Sequence, residues 1–219
     1  AVSVIMKNNM QIGVPENQQI FETLLMQNGA QMYNADFTAT ALDSQNAINA
    51  FTEWTSLYTN YSFPMEFDAF SRFRTGEMPI GIADFTTYNQ LSVFAPEIKG
   101  MWDMTVVPGT YRTDENGETV LDHSVAGTVT GGVIMKQSEE KEAAWEFLKW
   151  WTQADTQSRY ASELESVMGS AARYPTANVE AMKTIAWDRS TQEALTEQWQ
   201  YVKAIPEVPG GYFTSRYFD

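Results

Sequence analysis

Apolar residues recur at three- and four-residue spacing along most of the chain. The pattern therefore predicts helices first, and strands where that spacing breaks. Within residues 16–28, Ile20, Phe21, Leu24 and Leu25 share one helical face, and Gly29 is placed to cap its end. A second helix is expected to start near Asp43 or Ser44 and to carry the stripe Ala47, Ile48, Phe51, Trp54, Leu57 and Tyr58. A shorter one passes through Phe67, Phe70 and Phe73 and stops at Gly76. Then the period changes. Residues 79–83 read as a short buried strand, followed by a helical pattern through Tyr88, Leu91 and Phe94 that Pro96 closes. Alternation over 101–107 puts Trp102, Met104 and Val106 on one face of a predicted strand.

The stretch Thr113-Asp114-Glu115-Asn116-Gly117 is a hairpin turn, with Asn-Gly its strongest element. Residues 125–135, rich in Val, Thr and Gly, are the expected returning strand. Helices follow. Ser138 is expected to cap one that carries Ala144, Trp145, Phe147, Leu148 and Trp151. Others cover 156–167, ending at Gly169, and 176–187. A Ser190-x-x-Glu193 capping box opens a last helix through Leu195, Trp199 and Val202, and Pro206, Pro209, Gly210 and Gly211 then make a loop. The sum is a helix-rich α/β domain in which helices cover a small mixed sheet.

Composition narrows the class. Apolar residues make up 43% of the 219, with seven Trp, ten Tyr and twelve Phe, enough for a globular core. No apolar run reaches the roughly 18 residues that a membrane-spanning helix needs. A formal charge of −14, from 28 acidic and 14 basic residues, repels phosphate backbones and anionic membranes, so no nucleic-acid partner is expected. Without cysteine there is no thiolate catalysis, no cysteine metal site and no disulfide. The chain opens at Ala1 without a signal sequence or lipidation cysteine and stops at Tyr217-Phe218-Asp219. Both ends look cut, so an excised or processed piece is expected, with any targeting signal or anchor outside it.

Candidate chemistry is sparse. His123 is the single histidine, and its neighbours Asp122 and Ser124 would point to the opposite strand face, so an ordinary strand-edge histidine is expected rather than a triad. No Walker A, G-x-G-x-x-G or G-x-S-x-G motif occurs. Asp114-x-Asn116-Gly117-Glu118 faintly resembles a calcium loop, but the hairpin turn accounts for each of its residues. Among carboxylates that could serve glycoside hydrolysis, Asp84 beside Phe85 is the best placed, and a helix N-cap is the preferred reading of it. No cofactor and no metal are expected.

The aromatic residues say more. Rings stack on the apolar faces of sugars when they stand beside hydrogen-bonding groups at loop or strand ends. Three places qualify: Phe85-Thr86-Thr87-Tyr88, Gly127-Thr128-Val129-Thr130, and the predicted flexible loop Gly210-Gly211-Tyr212-Phe213-Thr214. For these, ligand contact and core packing stand as open alternatives. Trp54, Trp145, Trp150, Trp151 and Trp199 lie on helical stripes and read as core for the most part.

A resemblance sharpens this picture. Residues 73–83, Phe-Arg-Thr-Gly-Glu-Met-Pro-Ile-Gly-Ile-Ala, are similar to the F-x-x-G-x-x-A-M-x-I stretch of family 1 extracellular solute-binding proteins, which include the maltose-binding-protein-like receptors. Gly132-Val133-Ile134-Met135-Lys136 and then residues 140–151 resemble that family's strand followed by K-x-x-A-W-x-F-L-x-W/F. Residues 152–157 continue in the manner of its T-S-x-E-x-Q element, and 169–175 resemble its G-x-x-P-x-R turn, although Arg173 here precedes Pro175. Leu42-Asp43-Ser44 before the second helix also fits. The elements occur in the family's order from about residue 24 onward.

That resemblance implies a periplasmic-binding-protein-like (type II) fold of two α/β lobes, with ligand in a cleft that closes on it. This chain would be the C-terminal lobe, with the segment 137–170 on the other lobe's side of the hinge. It further implies a non-catalytic receptor that is a cell-surface lipoprotein or periplasmic. Such a receptor takes a mono- or oligosaccharide as ligand and an ABC transporter permease as partner, and meets the membrane only through an anchor outside this chain. Carried over residue by residue, it makes Phe85 or Tyr88 a stacking ring with Thr86 between them, gives Gly127, Thr128 and Thr130 small polar contacts, and makes Tyr212 or Phe213 another ring. The readings in competition are a glycoside hydrolase-type enzyme using Asp84 or another carboxylate, and a protein-interaction module, since exposed aromatic surface also marks partner sites.

Overall fold

The computed structural model describes residues 2–114 and 116–217. Ala1, Phe218 and Asp219, on which the reading of cut ends rests, lie outside them, as does Glu115 of the predicted hairpin turn. In chain order the elements are α1 (Val2–Lys7), β1 (Ile12–Gly13), α2 (Gln18–Gln27), α3 (Gln45–Thr59), α4 (Ala69–Arg74), β2 (Ile80–Gly81) and α5 (Thr87–Phe94). They continue as β3 (Thr110–Thr113), β4 (Thr119–Asp122), β5 (Val125–Ala126), α6 (Lys141–Trp151), α7 (Ala154–Met168), α8 (Val179–Met182), α9 (Arg189–Trp199), β6 (Val202–Lys203) and α10 (Gly211–Ser215). Among the described residues no helix is long and apolar enough to cross a membrane. The strands among these residues pair in three two-stranded ladders: β1 with β2 and β5 with β6 in parallel, β3 with β4 antiparallel. Mixed pairing is thus present, divided among three short ladders rather than gathered in one sheet.

The chain forms two compact units. The first comprises residues 2–84, 104–127 and 194–217, the second 85–103 and 128–193. In the first unit α2 packs on α3 through Ile20, Phe21 and Leu25 against Ala47, Ala50 and Trp54, all buried. Both helices start on side-chain caps: Asn17 Oδ1 accepts from the Ile20 N–H at 3.0 Å, and Ser44 Oγ from the Ala47 N–H at 3.3 Å. Gly29, at φ 74°, turns the chain out of α2, as its place in the sequence predicted. The α3 stripe is narrower than expected. Ile48 and Phe51 are about half exposed, because the small Ala47 and Ala50 take the face nearest α2.

Gln27, almost fully buried, joins α2 to the hairpin. Its Nε2 donates to the carbonyls of Pro108 (3.0 Å) and Ser124 (3.1 Å), and its Oε1 accepts from Thr110 Oγ1 at 2.8 Å. A buried amide with every group paired stabilises one register of the segments it ties. Thr23 Oγ1 likewise accepts from the Ala126 N–H at 3.0 Å, which sets β5 beside α2.

Several sequence expectations are corrected. The strand expected over 79–83 is only Ile80–Gly81, and both residues are exposed, not buried. No strand forms over 101–107; the Val107 N–H, which a ladder would have used, is satisfied by Gln198 Oε1 at 2.7 Å. The hairpin returns through β4, not through 125–135, of which only Val125–Ala126 pairs. Gly131 and Gly132 leave the rest of that stretch irregular, with Val129, Val133 and Met135 exposed. His123 follows β4, with Nδ1 3.1 Å from the Val107 carbonyl oxygen. At the turn itself Asp114 Oδ1 accepts from the N–H groups of Asn116 and Glu118, each at 2.9 Å.

In the second unit α7 anchors the packing. Gln157 is buried, donates to the Trp151 carbonyl at 2.7 Å and accepts from Thr176 Oγ1 at 3.0 Å. Arg173 grips Glu165 with two nitrogens, at 2.8 and 3.3 Å. Gly169 ends α7 at φ 83°, as predicted. Ser138 does not cap α6, which starts after Glu140 without a side-chain cap. The helix expected over 176–187 shrinks to the single turn α8, because Thr176 is held by Gln157 and Asn178 starts the helix late, accepting from Glu180 and Ala181. No residue of α6 is buried: Trp145 is 56% exposed and Trp150 51%, so neither is core within this chain.

Candidate functional site

The predicted residues fall into two sets, one on each unit. On the first unit, Tyr212 and Phe213 stand in the short helix α10 and not in a flexible loop. Gly210, at φ 87°, makes the turn into it, and Gly211 is buried, with the position of an added Cβ only 3.3 Å from Tyr33 Oη. The two rings stand out from that helix. They lie 5.7 Å apart at 69°, and are 70% and 65% exposed. The Arg216 guanidinium sits 5.7 Å from the Tyr212 ring centre.

Beneath them is the first turn of α2. Gln18 Nε2 lies 3.5 Å from Ser215 Oγ and donates to Glu22 at 2.6 Å, while Gln19 Nε2 donates to the Ala126 carbonyl at 2.8 Å. One helix end therefore touches both α10 and the residue before Gly127. Burial pushes the Glu22 carboxyl above its usual range against the pull of Gln18, and the charge of Glu207 adds to the rise.

Gly127 donates its N–H to the Lys203 carbonyl at 2.9 Å, and a Cβ built there would come within 2.3 Å of Val202 Cγ1. Valine is stiff at χ1 and cannot swing aside. Gly127→Ala is therefore expected to cost about 1–3 kcal/mol of stability. Urea unfolding checks this, and Gly127→Ala combined with Val202→Ala should recover most of the loss.

On the second unit, Phe85 and Tyr88 are half-buried, and Thr86, Thr128 and Thr130 are exposed. Asp84 does not cap α5. Thr86 occupies the cap position, without a side-chain bond, because the backbone there is already helical. The two rings meet partners that the sequence reading did not assign to the site. Tyr88 packs edge-to-face on Trp102 (5.4 Å) and Trp187 (5.3 Å), and Phe85 on Trp187 (6.4 Å). The Arg173 guanidinium covers Trp187 at 4.9 Å. Tyr88 Oη donates to Asp188.

Asp188 is also the cap of α9, accepting from the Thr191 N–H at 2.9 Å, so the Ser190-x-x-Glu193 box does not form. Partial burial works to raise the Asp188 carboxyl, but the bonds from Tyr88, Thr191 and Ser190 outweigh it and hold the group far below the usual carboxylate range. Burial first, and then the bond to Asp188, push the Tyr88 phenol up. The sequence signal for Asp188 was its place three residues before Thr191, the spacing of an aspartate cap.

The helix-rich α/β architecture, with its short parallel ladders, is that of the type II periplasmic-binding-protein fold. Three solved structures share that fold. An ABC substrate-binding protein of Listeria monocytogenes in complex with cycloalternan matches with TM-score 0.62 and 20% identity over 96% of this chain and 52% of that one. An ABC transporter solute-binding protein of Thermotoga lettingae bound with alpha-D-tagatose matches with TM-score 0.64 and 18% identity over 97% and 53%. The maltose-maltodextrin binding protein of Alicyclobacillus acidocaldarius matches with TM-score 0.62 and 16% identity over 98% and 57%. The chain thus spans about half the length of these structures. The chain belongs to the family of bacterial extracellular solute-binding proteins, whose pattern matches residues 7–203. Among curated proteins none matches it.

Proposed function

We propose that this chain is the C-terminal lobe of an extracellular receptor that binds a mono- or oligosaccharide and delivers it to the permease of an ABC importer, without catalysing a reaction. The observation that carries the reading is the Tyr212–Phe213 pair, two rings left largely exposed on a short helix in a solute-binding family. Phe85, Thr86, Tyr88, Gly127, Thr128 and Thr130 complete the proposed ligand contacts. The proteins it resembles hold cycloalternan and alpha-D-tagatose, and the third is a maltose-maltodextrin binder, which supports a carbohydrate as ligand. We assign residues 137–170 to the other lobe's side of the hinge. The exposed Trp145, Phe147 and Trp150 of α6 support this, because monomers rarely leave such an apolar ridge uncovered. Any membrane attachment would come from an anchor outside these residues.

The test uses the full-length protein, screened by thermal shift against tagatose, maltotetraose and cycloalternan and incubated with chromogenic glycosides. At least one saccharide is expected to raise the melting temperature while no glycoside is cleaved. Turnover abolished by Asp84→Asn would replace this reading with the hydrolase one.

A further inference from the structure

The second unit contains a bond that a simple helix cap would not need. Both oxygens of Asp188 are occupied: Oδ1 accepts from the Thr191 N–H and from Ser190 Oγ, each at 2.9 Å, and Oδ2 accepts from Thr191 Oγ1 at 2.9 Å and from the Tyr88 phenol. Capping alone uses the bonds from residues 190 and 191. The fourth comes from α5, a hundred residues earlier in the chain. Tyr88 is in turn the ring that touches both Trp102 and Trp187, and Trp187 directly precedes Asp188. Arg173, stacked on Trp187, is fixed by Glu165, and its carbonyl accepts from Asn89 Nδ2 at 3.3 Å, one residue after Tyr88. Tyr88 is thus held at its rim by the bond to Asp188, and Trp187 by its Nε1 N–H, which donates to Met182 Sδ at 3.3 Å.

We infer that Asp188 is a positioning residue for the aromatic cluster: it holds the Tyr88 phenol and, through that ring, sets the orientation of Trp102 and Trp187. This rests on the saccharide reading only so far as the ligand is concerned. A carboxylate suits the task better than an amide. It accepts at both oxygens, and a bond from a hydroxyl to an ionised acceptor is about twice as strong as a neutral one.

The test is made on full-length protein labelled with 5-fluorotryptophan, with the Trp102 and Trp187 resonances assigned by Trp102→Phe and Trp187→Phe. Asp188→Asn keeps a cap-competent side chain and removes the charge; Tyr88→Phe keeps the ring and removes only the hydroxyl. Both variants are expected to shift the Trp102 and Trp187 fluorine resonances while leaving those of Trp54 and Trp199 in place. Each should weaken binding of the tightest of tagatose, maltotetraose and cycloalternan by roughly three- to tenfold, as for one lost hydrogen bond. The double variant should be no weaker than either single one, since both remove the same bond. A pure cap predicts otherwise: Tyr88→Phe would leave both resonances unmoved, and that result overturns the inference. Resonances that shift without any change in saccharide affinity would uphold the positioning role and count against the saccharide reading of these rings.

Discussion

Trp54→Ala is expected to unfold the first unit well below the wild-type melting temperature. The indole is 8% exposed and meets Phe21 at 5.5 Å, Phe51 at 5.9 Å and Tyr58 at 6.4 Å, so it is the centre of the α2–α3 contact. Truncating a buried aromatic to alanine removes its transfer free energy and leaves a cavity, together about 3–5 kcal/mol. For a chain of this size that corresponds to a fall in Tm of roughly 6–20 °C. Trp145→Ala makes the contrast. Its ring is 56% exposed in this chain, so the same substitution should stay within about 0.5 kcal/mol of wild type. Thermal denaturation of the 219-residue chain followed by circular dichroism measures both. Equal losses at the two positions would mean that the core does not lie between α2 and α3.

The second large effect concerns binding. Tyr212→Ala and Phe213→Ala, made in the full-length protein, are each expected to weaken saccharide affinity while leaving Tm nearly unchanged. A ring stacked on the apolar face of a sugar contributes about 1–3 kcal/mol, by analogy with burying an aromatic side chain. That loss is about five- to 150-fold in Kd. Stability is spared because the rings are 70% and 65% exposed and the seat of α10 is made by Gly211, which neither substitution touches. Phe85→Ala and Tyr88→Ala belong to a different class. Those rings are packed on Trp187, so their removal should lower Tm as well as affinity. Calorimetric titration beside a melting curve separates the cases, and normal binding with early unfolding for the Tyr212 and Phe213 variants would make them core rings.

Much of the helical framework was legible because it is written in local chemistry. Ser44 sits where a cap is needed, Gly29 and Gly169 where positive φ is needed, and the apolar stripes between them have helical period. The Asn-Gly hairpin was legible for the same reason. Two-residue ladders were not, since alternation needs more positions than Ile12–Gly13 or Val125–Ala126 supply. Over 101–107 the alternation was real but meant something else: Trp102 turns to the Tyr88 ring and Val107 bonds a glutamine side chain.

The tryptophans of α6 show a further limit. An apolar stripe declares that a helix wants cover, without saying whether the cover lies in the same 219 residues. The candidate site was half legible. Ring-bearing segments such as 85–88 and 210–214 announce themselves, whereas Trp187, Asp188 and Arg173 reach Tyr88 only through tertiary packing. At α9 two caps competed within three residues. Asp188 holds the cap and also accepts from the Tyr88 hydroxyl, a partner invisible in the local sequence.

The most direct measurement is the crystal structure of the full-length protein grown with its tightest-binding saccharide. The account predicts a sugar ring whose apolar face lies within about 4 Å of the Tyr212 or Phe213 ring, with hydroxyls bonded to polar groups of the same surface. A saccharide bound elsewhere, with both rings still open to solvent, would contradict it.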